Sequence, residues 1–155
     1  MQITVDQIRT TLEQALATGK PGVPVSVRVH CELSEPLADP AVLIPQLLEL
    51  VQPAFDHTDS SVQCRSTQDT SSWNILLVSK NGRTLFLSLA GNVSWNPKLH
   101  FTVIGNHGIL RLQSSDCDFD MTSLETSDEK HPGIVRWRDV LDAGMRSGRR
   151  QEFSV

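Results

Sequence analysis

The chain has 155 residues, 39% hydrophobic and 21% charged, which is enough to bury the core of one domain (1–155) without disulfides or metals and excludes a disordered chain. Fourteen basic residues against 18 acidic ones leave a net charge of -4, so the electrostatic footprint of a nucleic-acid binder is missing and no nucleic-acid partner is expected. Cys31, Cys64 and Cys117 lie far apart, with neither zinc spacing nor an even count for a disulfide framework, and read as reduced, buried thiols of a cytoplasmic protein.

The opening "MQITVDQIRTTLEQALATGK" carries acids and lacks a basic region followed by an apolar stretch, so it reads as no signal peptide. No apolar run approaches membrane-spanning length, and no membrane partner is expected. The same segment predicts a helix. Thr4 and Gln7 make a capping-box pair, and Val5, Ile8, Leu12, Ala15 and Leu16 recur at helical spacing until Gly19 ends the run. After "GKPGVP", the alternation in "VSVRVH" sends Val25, Val27 and Val29 to one face of a strand and Ser26, Arg28 and His30 to the other.

"ADPAVLIPQLLELVQPAF" predicts a second helix with Asp39 as cap and Pro40 at the first helical position. Pro45 either kinks it or marks the start of its regular part, and Pro53 stops it. The polar "DHTDSS" leads to a strand near Val62 to Arg65. "WNILLVSKNGRTLFLSLAG" then reads as a hairpin whose Asn81-Gly82 pair suits a tight primed turn. "LHFTVIGNHGILRL" repeats the design, with "GNHG" as connection. Gly105, Asn106 and Gly108 serve backbone geometry there, and His107 occupies a solvent-facing tip.

A short strand is predicted in "CDFDM" and a polar loop in "TSLETSDEKHPG". A last helix from about Ile134 puts Trp137, Val140, Leu141 and Met145 on one face and ends at Gly148, followed by a solvated basic tail with Arg146, Arg149 and Arg150. Hairpins flanked by helices predict an α+β domain: a single mostly antiparallel open sheet with helices on one face.

No phosphate-binding loop, dinucleotide fingerprint or nucleophile elbow is present. His30, His57, His100, His107 and His131 never fall at i, i+4 on a helix, so no metal site is expected, and "FDHTDSS" around His57 reads as a polar loop.

Read in order, the segments resemble the C-terminal, substrate-side domain of the Gfo/Idh/MocA family of NAD(P)-dependent oxidoreductases. "TLEQALATGKPGVPVSVRVH" is similar to that domain's helix, its Gly- and Pro-containing loop and its first strand. "SSWNILLVSKNGRTLFLSLAG" and "LHFTVIGNHGILRL" resemble its two hairpins, and "WRDVLDAGMRSGRRQEFSV" resembles a Gly-Arg segment late in such chains. The family's Rossmann domain, with its catalytic lysine, and its final helix have no counterpart in these residues. The resemblance therefore implies that NAD(P) is reached only through a missing or partner Rossmann domain.

Members use an Asp-x-x-x-His pattern with a further acid for substrate binding and proton transfer. Aligning "DPAVLIPQ" to it keeps Asp39 but puts Leu43 at the histidine and Gln46 at the acid; a shifted register puts Gln46 at the histidine and Glu49 at the acid. Neither supplies an imidazole, so no residue is expected to be catalytic. The resemblance implies a binding or dimerisation module, with self-association through the open sheet face. "SVRVH" and "TLFLSLAG" would supply that face, and Trp73 and Trp95 are either its anchors or core residues. The alternative is the substrate-binding part of a split or longer sugar or polyol oxidoreductase, with Asp39, Gln46 and Glu49 lining its pocket. A carrier that keeps the pocket without the chemistry is a third reading.

Overall fold

The computed structural model describes residues 2–3, 5–37, 39–69, 71–92, 98–113, 118–119, 132–147 and 151–153. The elements run β1 (Gln2–Ile3), α1 (Val5–Ala17), β2 (Pro24–Glu32), α2 (Pro40–Val51), β3 (Ser60–Ser66), β4 (Ser72–Ser79), β5 (Thr84–Ala90), β6 (Lys98–Gly105), β7 (Ile109–Gln113), β8 (Asp118–Phe119), α3 (Pro132–Ser147) and β9 (Gln151–Phe153). Seven strands form one sheet in the order β7-β6-β2-β5-β4-β3-β9. Only β2 and β5 pair in parallel; every other pairing in that sheet is antiparallel. The expected α+β open sheet is what forms, and β1 and β8 add a separate two-stranded parallel pair.

Alternation decides which face is covered. Val27 and Val29 on β2, Ile75 and Leu77 on β4, Leu85, Leu87 and Leu89 on β5, and Phe101 and Val103 on β6 are all buried. They share one core with the apolar residues of the helices. Each large aliphatic side chain fully buried there contributes about 1.5–3 kcal/mol. Helix α2 is apolar almost all round, with Pro40, Ala41, Leu43, Ile44, Leu47, Leu48, Leu50 and Val51 buried, as expected of a helix packed between α1 and α3. On α1, Ile8 and Leu12 enter the core, and on α3, Trp137 and Leu141 do so. The Thr4 cap, Gly148, Arg149, Arg150 and residues 122–131 of the "TSLETSDEKHPG" loop lie outside the described residues, as does the side chain of Met145, while Pro132 and Gly133, expected in that loop, open α3.

Several local expectations change. Val25 is 48% exposed, because the β2–β6 register shifts between Pro24 and Ser26, and the inward alternation starts only at Val27. Pro45 sits inside one continuous helix rather than at its start. At the first hairpin only Gly82 has a positive φ, at 82°, and Asn81 does not. Gly82 N donates to Ser79 O at 2.9 Å, and Ser79 N donates to Arg83 O at 2.9 Å. The connection is therefore a three-residue turn closed by a left-handed glycine, not a two-residue primed turn. Gln151–Phe153, expected as part of a solvated tail, forms a strand against β3.

Candidate functional site

Asp39 caps α2. Its Oδ1 accepts from Ala41 N at 3.0 Å, while Oδ2 takes Arg138 Nε at 2.9 Å and Nη2 at 2.8 Å. Both carboxylate oxygens are engaged in tying the start of α2 to α3. Leu43, one turn on, is 6% exposed and belongs to the core. Gln46 Nε2 donates to Val42 O at 3.1 Å, within its own helix, and Glu49 is exposed. Asp39, Gln46 and Glu49 follow one stripe of α2, yet ten residues separate the first from the last, about 15 Å at the helical rise. The structure brings Gln46 and Glu49 together and leaves Asp39 apart from them.

His57 joins Glu49 where the chain leaves α2. Asp56 Oδ1 accepts from Thr58 N at 3.0 Å and from Thr58 Oγ1 at 2.8 Å, which holds the Asp56 carboxyl below its usual range. Ser60 Oγ donates to His57 O at 2.7 Å, and Asp59 takes a left-handed φ of 55°. This tight loop half-buries the imidazole. Burial pushes the His57 pKa below its ordinary value, against smaller upward pulls from Asp56 and Glu49. Sequence reading passed over His57 because its neighbour in space, Glu49, is eight positions away and across a helix end. The Pro53 stop after α2 was the available signal that the loop folds back.

The open face of the sheet is the second candidate surface. Paired rows run across it: His100 and Ser88 flank His30, and Thr102 and Phe86 flank Arg28. Glu32 Oε1 lies 3.0 Å from His30 Nε2 and Glu32 Oε2 lies 3.7 Å from Lys98 Nζ, and the rings of His30 and His100 are 6.1 Å apart. The hydrogen bond from His30, with Lys98 adding to it, holds the Glu32 carboxyl below its ordinary range. Phe86 and Ile109 are 37% and 58% exposed. Trp73 is not on this face. At 7% exposure it alternates inward with Ile75 and Leu77, which is the core-packing alternative read from the sequence; Trp95 lies outside the described residues.

The "GNHG" tip is docked onto the chain between α1 and β2. Asn106 Oδ1 accepts from Val23 N at 2.8 Å, Asn106 N donates to Val23 O at 3.1 Å, and His107 N donates to Pro21 O at 3.1 Å. Gly105 and Gly108 have no positive φ; a Cβ on Gly105 would run into the Pro21 carbonyl and one on Gly108 would crowd Lys20 O. Their glycine requirement is close approach of two backbones, not the turn angles expected from sequence. Among the described residues no group of three or more His, Cys, Asp or Glu is placed to hold a metal ion.

No protein-family model matches the chain, and no curated protein is similar to it in sequence. Solved structures do match its fold. A myo-inositol dehydrogenase from Corynebacterium glutamicum superposes with TM-score 0.70 and 9% identity, over 97% of this chain and 62% of that one. A myo-inositol dehydrogenase from Lactobacillus casei, in complex with NAD(H) and myo-inositol, gives 0.68 and 16% over 97% and 60%. A scyllo-inositol dehydrogenase from the same organism, with NAD(H) and scyllo-inositol bound, gives 0.67 and 10% over 95% and 62%. The chain shares the fold of the matched part of these dehydrogenases. The resemblance to the substrate-side domain of the Gfo/Idh/MocA oxidoreductases thus holds at the level of the fold, over about six-tenths of these relatives' length. Among the described residues no helix is long and apolar enough to cross a membrane.

Proposed function

We propose that this chain is an oxidoreductase-like substrate-side domain that acts as a binding and dimerisation module, with no catalysis of its own. The observation that carries the reading is Leu43. Where the resemblance calls for a proton-transferring histidine, one register puts Leu43, sealed in the core, and the shifted register puts Gln46, bonded to Val42 O of its own helix, while Asp39 is engaged in a cap and an ion pair. Leu43 and Gln46 carry no group that titrates, and both oxygens of the Asp39 carboxylate already have partners within the fold. The self-association half of the proposal is supported by the open sheet face, on which Phe86 and Ile109 are exposed. The setting proposed for this homodimer is the cytoplasm.

A second reading is favoured by the nearness of Glu49 to His57, with Gln46 one turn before Glu49 on α2: amide, carboxylate and neutral imidazole suit a hydroxyl-rich ligand. In that case the chain is the substrate-binding part of a longer or split sugar or polyol oxidoreductase, and NAD(P) is supplied by a Rossmann partner.

Sedimentation velocity on the chain, alone and with NAD(H), separates the two. The module reading expects a homodimer indifferent to nucleotide and converted to monomer by Phe86→Glu. A monomer unaffected by Phe86→Glu that instead binds an NAD(H)-loaded dehydrogenase cofactor domain supports the second reading and removes the first.

A further inference from the structure

The tip of the β4–β5 hairpin holds a reactive pair. Of the five asparagines in the chain, Asn74, Asn81, Asn92, Asn96 and Asn106, only Asn81 is followed by glycine. A side chain on the following residue hinders its backbone nitrogen from closing on the asparagine side chain, and Gly82 has none. Both residues are exposed, and nothing lies within 4 Å of where a Gly82 Cβ would stand, so water and hydroxide reach the peptide bond between them.

The turn also prepares the side chain. Asn81 Oδ1 accepts from Ser79 Oγ and, at 3.3 Å, from Arg83 N. The bond from Arg83 N closes a small ring of atoms that contains both Cγ of Asn81 and the Gly82 nitrogen, and holds the two near each other. Both donors stand where negative charge develops on Oδ1 when a nucleophile attacks Cγ. One bond opposes the reaction. Gly82 N donates to Ser79 O at 2.9 Å and must give up that proton, which makes the attack dependent on base.

We propose that Asn81 is a site of self-modification, at which Gly82 N attacks Cγ of Asn81 while the Ser79 hydroxyl and the Arg83 N–H hold the side-chain oxygen. The N–Cγ bond forms and the Cγ–Nδ2 bond breaks, so Nδ2 leaves as ammonia with the proton given up by Gly82, and a cyclic imide remains. Water then opens the ring. Addition at Cγ leaves aspartate, and addition at the Asn81 main-chain carbonyl carbon leaves isoaspartate, in which the chain continues through the side chain. The aspartate product keeps both donors, now on a carboxylate, and adds a negative charge beside Lys80, whose Nζ lies 3.3 Å from Asp59 Oδ2. The isoaspartate product lengthens the backbone by one carbon inside a turn closed by Gly82 N on Ser79 O and by Ser79 N on Arg83 O, and so strains both bonds.

The test is incubation of the folded chain at pH 8 and at pH 6 in water enriched in heavy oxygen, followed by peptide mass mapping under acid, with a urea-unfolded sample as the clock. The expected result is conversion at Asn81 to two separable products, each with the mass of an acid in place of an amide and one heavy oxygen taken up. Conversion should be faster at pH 8, with Asn74 and Asn106 intact. Ser79→Ala should slow the folded chain about two- to tenfold, the contribution of one exposed hydrogen bond, and leave the rate in urea unchanged. An Asn81 that stays intact in the folded chain while the unfolded chain converts overturns the proposal. Equal rates in the folded parent and in folded Ser79→Ala overturn the part given to the hydroxyl.

Discussion

Gly144 of α3 lies over Cys64 of β3, whose thiol points at Leu141 O across 3.8 Å. A Cβ at position 144 would collide with the Cys64 sulfur. The absent side chain is what lets a helix backbone settle onto the sheet at this point.

Gly144→Ala is accordingly expected to destabilise the chain by about 1–3 kcal/mol through overpacking, although alanine is the better helix former by about 1 kcal/mol. Adding Cys64→Ala removes the colliding sulfur and should recover most of the loss. Urea unfolding of the two single variants and the double variant measures the coupling. Purely additive effects would mean that the collision is not the cause.

Asp39 does two separable jobs. Asn caps as well as Asp, so Asp39→Asn should lose only the ion pair to Arg138, which is half-exposed and screened and therefore contributes at most about 0.5–1 kcal/mol. Asp39→Ala loses the cap as well, and should be less stable than Asp39→Asn by about 1 kcal/mol. If the two variants unfold at the same urea concentration, the capping role is refuted.

His57 ties stability to pH. Its folded pKa is depressed by burial, so the unfolded chain takes up the proton first as pH falls. The stability this contributes is complete above the ordinary imidazole value of 6.5 and is lost as pH drops through the lower folded value. Unfolding free energies between pH 7.5 and pH 5 should decline in the parent chain, and His57→Gln should flatten that decline. An equal slope in the variant would assign the effect elsewhere.

Burial pushes the Cys31 thiol up to about 12 and raises that of Cys64 as well. Neither forms the reactive thiolate near neutral pH. Iodoacetamide at pH 8, followed by peptide mass mapping, should leave both unmodified in the folded chain and alkylate both in urea. Rapid labelling of Cys31 without denaturant would contradict its place in the core.

The element order was legible because period and punctuation agreed over most of the chain. "TLFLSLAG" alternates, "PAVLIPQLLELV" is apolar at helical spacing and on most sides besides, and Gly19 ends α1 with a φ of 72°. What sequence could not show were contacts between distant backbones. Asn106 reads as a turn residue until Val23 N is found on its side-chain oxygen, and Gly105 until Pro21 is found against it. Trp73 was undecidable for a related reason, since an aromatic residue at a strand's start fits either face until the register with Leu89 is known. The site was less legible than the fold. Glu49 and His57 belong to different local patterns, and only the fold-back after α2 joins them.

The placing of β2 has a consequence for how the chain folds. Strands β3 to β5 form a meander and β6 and β7 a hairpin, and both can assemble from neighbours in sequence. Within the sheet the two groups are joined only through β2, which is made early in the chain and pairs with β5 on one side and β6 on the other. Ser26 and Thr84, side by side across the parallel pair, are 58 positions apart. The loop-closure entropy of that pairing must be met before its contacts compensate, so the pairing of β2 with β5 is expected to be the step that limits folding. Substitutions at Val27 or Val29 should therefore slow folding, whereas those confined to the β6–β7 tip should chiefly speed unfolding.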